Sequence, residues 1–346
     1  MSMRIASYNV ENMFQRPRAF FDPSTGKARD EMLEAYVQLT LLLEKDAYEA
    51  DDRTKILEHL ETLEIDREDQ SDYAVLRKIR GKLLRRPEDE DEPVEVVAKG
   101  RADWVGWVEL EKEAIDSVAT ENTAAIIAEV DPDVLAVVEA EDRMTLVRFN
   151  EYVLPKATKW RFAHARLIEG NDERGIDVGV MSKGGFPIGQ AHSHVDDENH
   201  WGTIFSRDCA EYEIPTLSGE RLLLMVNHFK SQIGGGGPKR RDQAQRVAEI
   251  YAARRREGWE SIVIAGDLND TPESWPLVSL IGKTDLKDAG DHEDFDWGGS
   301  TDTHKRGKRF DYLLLSPALF KAFVAGGVNR RGIWNPANLG DDEKML

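Results

Sequence analysis

The chain has 346 residues, a formal charge of −19 and charged side chains at 32% of positions. That length supports one large core or two modest ones and excludes a small stapled domain. A single cysteine, Cys209, excludes a disulfide framework and a multi-cysteine zinc site, and the acidic balance excludes a generic basic coat for nucleic acid, though not a local basic patch.

The first readable element is a short strand at residues 3–10 (MRIASYNV), ending on polar Asn9, Glu11 and Asn12. No charged leader and no apolar run of about 18 residues accompanies it, so a cytoplasmic protein without a membrane span is expected. Between residues 22 and 116 the composition turns acidic, with 27 acids against 15 bases. Apolar spacing predicts amphipathic helices over 31–43, 54–63 and 73–84, so residues 15–112 read as a helical, acidic insertion within one domain spanning 1–346. Six bases crowd residues 77–86 (RKIRGKLLRR). A solvated face neutralised by the acidic run at 88–92 is preferred over a phosphate-facing patch.

Beyond the insertion the pattern becomes α/β. A helix is predicted at 113–130, stopped by Pro132, and buried strands at 133–138, 177–181, 222–227, 261–265 and 310–315. A helix at 241–256 lies among them, and the glycines at 234–237 form a loop able to face a ligand. Polar residues recur at the strand ends: Asn9 and Glu11, Glu139, Asn227 and His228, Asp267 and Asn269, and Asp311. Strands that deliver carboxylates, amides and an imidazole to one end build an enzyme site, and a carboxylate-rich set suits Mg²⁺ or Mn²⁺. His192, His194, Asp196 and His200 read as a polar loop in preference to zinc ligands. Trp201, Trp297 and Trp334 are candidates for a groove rim or for packing. The bases at 239–241, 254–256 and 305–309 are candidates for a positive surface.

Taken in order, SYNVEN, PDVLAVVEAED, RGIDVGVMSK, NHFKS, GDLND and RFDYLLLSP resemble the endonuclease/exonuclease/phosphatase superfamily, which includes deoxyribonuclease I, abasic-site exonucleases, neutral sphingomyelinases and inositol polyphosphate 5-phosphatases. The resemblance covers residues 3–14 and about 113–320. It implies a four-layer α/β/β/α sandwich of two mixed sheets, like deoxyribonuclease I, with the insertion after the first strand. It implies a Mg²⁺- or Mn²⁺-dependent hydrolase with Glu139, Glu11 and Asp311 at the metal. Asp267 prepares the attacking water, supported by Asn269, Asn9 and His228, while Arg174, Asn227 and Lys230 contact substrate and Asp177 braces the site. The expected substrate is a phosphodiester of DNA or RNA. A phosphorylated metabolite or lipid headgroup is the alternative. The family's closing Ser-Asp-His motif has no counterpart after Pro317. A truncated sequence is the expected reason, and a noncatalytic binding protein on this fold is the competing reading.

Overall fold

The computed structural model describes residues 2–17, 29–89, 91–114, 117–172, 175–216, 219–232, 235–304 and 308–331. Two compact units emerge: Met1–Phe14 with Asp116–Leu346, and Gln15–Ile115. The first unit opens with β1 (Ile5–Asn9). The second holds β2 (Gln15–Pro17), α1 (Arg29–Leu43), α2 (Ala50–Thr62), β3 (Ala74–Arg80), β4 (Leu84–Arg85), β5 (Glu95–Val96), β6 (Val105–Leu110) and β7 (Lys112–Ala114). The first then resumes with α3 (Ser117–Val130), β8 (Val134–Ala140), α4 (Arg143–Arg148), α5 (Leu154–Ala157), β9 (His164–Ile168) and β10 (Asp177–Ser182). It continues through β11 (Ala191–His192), β12 (Glu198–Asn199), β13 (Gly202–Thr203), β14 (Cys209–Pro215), β15 (Arg221–His228), α6 (Gly237–Arg256) and β16 (Ile262–Asp267). Last come β17 (Lys287–Asp288), β18 (Phe295–Asp296), β19 (Asp311–Leu315), α7 (Pro317–Lys321) and β20 (Gly326–Gly327).

Two mixed sheets organise the first unit, in the orders β1-β8-β10-β9 and β11-β14-β15-β16-β19-β17. Their side chains alternate between faces, and three apolar clusters show where each face goes. Val134, Ala136, Val138, Val178 and Val180 of one sheet meet Tyr212, Leu224, Val226, Val263 and Ala265 of the other. On the far side of the first sheet, Leu135, Val137 and Met181 meet Ala124 and Ile127 of α3 and Leu146 of α4. On the far side of the second, Leu223, Met225, Ile262 and Ile264 meet Ala244, Val247, Ile250 and Tyr251 of α6. Each strand of the interior buries both faces, which is why these segments read as unbroken apolar runs. The arrangement is α/β with mixed sheets, consistent with the expected sandwich. No helix among the described residues is long and apolar enough to cross a membrane.

In the second unit α1 packs on α2, with Leu39, Ile56 and Leu60 fully buried. Glu49 and Asp52 cap α2 reciprocally. The helix predicted at 73–84 is instead β3, paired antiparallel with β6. Ala74, Val75 and Leu76 are buried while Arg77, Lys78, Ile79 and Arg80 are exposed, a burial pattern that runs along the strand rather than around a helix. The partner strand lies some thirty residues on, so no local period could announce it. Antiparallel pairs β2–β7 and β4–β5 complete this unit, which is therefore α+β rather than helical.

Candidate active site

The parity of each strand decides which polar residues meet. On β1, Ile5 packs into the intersheet cluster, and Asn9 shares its parity. On β15, Leu224 and Val226 face the other sheet, so His228 does too. Val263 and Ala265 carry Asp267 to the same face of β16, and Leu313 and Leu315 carry Asp311 there on β19. Asp267 lies directly across from Asp311 in the antiparallel ladder and beside His228 in the parallel one.

Glu139 reaches this face by a different device. Val138 points between the sheets and Ala140 points towards the helices, so alternation is broken at Glu139. The register of β10 shifts at this point, with Asp177 opposite Ala140 and Val178 opposite Val138, leaving Glu139 as an extra residue. Its φ is 65°, the left-handed conformation seen at bulges. Glu11 (φ 46°), Asn12 (φ 66°) and Asn269 (φ 52°) share that rare backbone region. Such strained residues collect where a structure must aim side chains.

The bonds bind these parts into one cluster. Asn9 Nδ2 donates to Asp267 Oδ2 at 3.3 Å, and Asn9 Oδ1 accepts the Glu11 amide at 3.0 Å. The Asn269 amide donates to Asp267 Oδ1 at 2.7 Å while Asn269 Nδ2 donates to the Phe229 carbonyl. His228 Nε2 lies 3.5 Å from Glu139 Oε1. Burial, reinforced by the charges of Asp311 and Glu139, pushes the Asp267 carboxyl well above the ordinary range, against the pull of Asn269 and Asn9. Burial likewise pushes Asp311 up to about 7, opposed by a hydrogen bond from Thr303 and aided by Glu139. Among the described residues no Lys or Arg pairs with Glu139, Asp267 or Asp311. Crowded oxygen donors with uncompensated charge fit a hard divalent cation.

Some predicted site residues fall elsewhere. Asn227 shares the parity of Met225 and is fully buried on the α6 side, beside the Cys209 thiol, with Nδ2 donating to the Met225 carbonyl. It therefore lies on the face away from Asp267: successive strand residues point to opposite faces, and His228 takes the one towards the cluster. The Lys230 amide donates to Gln243 Oε1 and its carbonyl accepts from Arg240, anchoring the loop after β15 to α6. The Glu11 charge acts on the Tyr8 phenol. Arg174 and Trp334 lie outside the described residues. Asp177 accepts the Gly170 amide at 2.7 Å and braces that loop.

Two supporting residues carried no sequence signal. Thr303 Oγ1 accepts the amides of Phe310 and Asp311, both at 3.0 Å, and bonds the Asp311 carboxyl. Glu141 accepts the amides of Met13 and Phe14, fixing the turn that follows β1.

The candidate basic surfaces on the first unit are largely absorbed. Arg240 is buried on Asp270, Arg241 pairs with Asp242, and Arg254 grips Glu211. Lys308 donates to Gln232, and Arg309 is bound to Asp288 and lies over the Trp297 ring. Lys305 lies outside the described residues. Trp201 is 76% exposed and Trp297 donates to the Gly290 carbonyl.

His192, His194 and Glu211 place donor atoms within 4.8 Å of one another, so this group could hold a metal. His194 Nε2 is 2.6 Å from Glu211 Oε1 and Nδ1 is 3.1 Å from Asp197. Arg254 occupies both Glu211 oxygens and Arg246 pairs with Asp197, which opposes a further cation there. Asp196 and His200 take no part in this group.

A family profile described as Endonuclease/Exonuclease/phosphatase family matches residues 114–333. Among solved structures, a mannosyl-6-phosphatase of Bacteroides thetaiotaomicron is 14% identical, with a TM-score of 0.44, covering 57% of this chain and 76% of that one. Truncated TDP2 of Caenorhabditis elegans is 18% identical, with a TM-score of 0.41, covering 58% and 77%. The human Nocturnin catalytic domain with bound sulfate is 13% identical, with a TM-score of 0.44, covering 57% and 75%. No curated protein matches. The profile spans well over half of the sequence, and the chain belongs to the endonuclease/exonuclease/phosphatase family, whose members are phosphoester hydrolases.

Proposed function

We propose that this protein is a divalent-metal-dependent phosphodiesterase that acts on nucleic acid. The observation that supports it best is the convergence of Glu139, Asp267 and Asp311 from three strands of two sheets, with Asp267 raised by burial and by its two acidic neighbours. Glu139 would hold Mg²⁺ or Mn²⁺, with Asp311 in support. The cation, when bound, offsets the charge of the phosphodiester and of its developing oxyanion.

The chain's own groups handle the proton and the geometry. A carboxyl with raised proton affinity is a better general base near neutral pH than an ordinary aspartate, and base work of this kind is worth about 10²–10⁴-fold. Asp267 therefore takes the proton of the attacking water. Asn269 fixes one of its oxygens through a backbone N–H and Asn9 fixes the other through Nδ2. Two oxygens held in place leave the carboxyl one orientation. His228, beside Glu139 and almost wholly buried, presents Nε2 to a phosphate oxygen.

The test is hydrolysis of bis-p-nitrophenyl phosphate against p-nitrophenyl phosphate, with Mg²⁺ or Mn²⁺ titrated in. The diester should be preferred, turnover should require the metal, and Asp267→Asn should abolish most of it. Equal metal-independent rates for the wild type and the variant would remove the proposal. Plasmid, single-stranded DNA and RNA then test the substrate class.

A further inference from the structure

We propose that the second unit, Gln15–Ile115, carries a binding surface for single-stranded nucleic acid, built from two basic glycine turns and an exposed tryptophan. The proposal takes its polymer class from the nucleic-acid reading above.

The turns are Arg80-Gly81-Lys82, at the end of β3, and Lys99-Gly100-Arg101, before β6. Both glycines have positive φ, 82° and 145°. A Cβ on Gly81 would stand 1.9 Å from the Asp103 carbonyl oxygen, and one on Gly100 would stand 1.9 Å from that of Asp46. No other residue fits either position without displacing backbone. The turns are tied together: Arg80 Nη2 donates to the carbonyls of Arg101 and Ala102, and the amides of Val97 and Ala98 reach the Leu83 carbonyl. The two turns that carry these cations are thus held side by side, and Lys78 on β3 is exposed next to the first of them.

These cations differ from the rest of the basic run. Arg77 pairs with Glu109, Arg85 with Glu95 and Arg86 with Asp69. Among the described residues no carboxylate pairs with the side chains of Lys78, Arg80, Lys82, Lys99 or Arg101, and all five are exposed. The Asp103 carboxylate, the acid nearest in sequence, accepts the Lys99 amide. In a unit so acidic, a set of unpaired cations suits a polyanion with regularly repeated charges.

Exposed apolar groups on the same ribbon indicate unpaired bases rather than duplex. Ile79 occupies the register shift between Lys78 and Arg80 and is 69% exposed. Trp107 lies across from Arg77 on β6 and is 42% exposed, with its indole N–H fixed on Glu109 at 2.9 Å. A ring locked at its edge offers a face on which a base can stack. A carboxylate bound to that edge opposes insertion into an anionic bilayer, so a membrane is the less favoured occupant.

The experiment uses the full chain carrying Asp267→Asn in EDTA, so that cleavage cannot interfere. Anisotropy of a labelled oligodeoxythymidylate of about 20 nucleotides is followed between about 50 and 200 mM salt. Three or four phosphate contacts give a log–log slope of about −2 to −3. K82E/R101E should weaken binding at least tenfold at low salt and flatten the slope by about 1.4. W107A should weaken binding with the slope kept, and K55E, a charge change on α2, should leave both alone. K82A/R101A replaces the reversal variant should that one melt early, and is expected to flatten the slope likewise. Unaltered binding by folded turn variants, or capture of phosphatidylserine vesicles with none of the oligonucleotide, would overturn the proposal. Bis-p-nitrophenyl phosphate turnover, measured with Asp267 intact, should be unchanged by K82E/R101E. A wild type inert towards that diester removes the phosphodiesterase reading and leaves the binding result standing by itself.

Discussion

Replacing Asp267 with asparagine should remove activity and, in the absence of metal, make the protein more stable. When ionised, Asp267 faces Asp311 in a ladder position where Cα atoms stand about 4.5–5.5 Å apart. One ionised neighbour about 5 Å away costs about 3 kcal/mol at an effective dielectric constant near 20. The substitution abolishes that repulsion and lessens the effect of Glu139. It keeps the bond from the Asn269 amide and loses the one from Asn9, worth about 1–2 kcal/mol. The balance is a gain of about 1–2 kcal/mol, or a melting temperature higher by about 5 °C for a unit of this size. The sign has a pH signature. Carboxyls raised in the folded state keep protons that the unfolded chain releases near pH 4, so wild-type stability should fall between about pH 4 and 7 in EDTA. The variant should flatten that fall. Scanning calorimetry with EDTA and with Mg²⁺ provides the assay, and Mg²⁺ should raise the melting temperature of the wild type more than that of the variant. A variant that is both inactive and less stable in EDTA would mean that Asp267 is a structural residue, and the catalytic reasoning would fail.

Thr303→Val deletes the hydroxyl that joins two backbone amides to the Asp311 carboxyl, and kcat should drop about tenfold, with Thr303→Ser restoring most of it; steady-state kinetics on a diester reads this out. Glu139→Gln should raise the Mg²⁺ or Mn²⁺ concentration for half-maximal rate by about 10–100-fold, and an unchanged metal requirement would exclude Glu139 as a ligand. Glu211→Ala strands Arg254 and His194 in the layer between β14 and α6 and should cost about 3–5 kcal/mol, measured by urea unfolding. Burial alone would raise the Glu211 carboxyl, but Arg254 and His194 hold it down at about 2. A depressed carboxyl stabilises the fold above its unfolded pKa, so this contribution is present above about pH 4.5 and fades as pH falls towards 2.

Much of the first unit is legible in the amino-acid order. Apolar runs at β8, β10, β15 and β16 mark strands buried on both faces, and polar residues at their ends mark the rim where a site can form. Alternation by two is also enough, in principle, to place His228 and Asp267 on one face and Asn227 on the other. In NHFKS Asn227 and His228 are adjacent and both polar, and only the packing of Met225 against α6 shows which way the odd residues point.

Other features exist only in three dimensions. Glu139 enters the site through a bulge that interrupts the alternation its own strand announces. Thr303 and Glu141 act by accepting backbone amides, which no pattern of side chains records. The segment 73–84 reads as a helix because its apolar spacing is local, whereas β6, the strand that holds it extended, is remote in the chain. Among the described residues, basic runs that look alike in sequence divide into arginines consumed by carboxylates and a few cations left without one. Local order thus settles which residues are apolar and where strands end. The folded chain settles who pairs with whom, because hydrogen bonds, ion pairs and crowded charges act across space between segments whose separation along the chain carries no information about their contact.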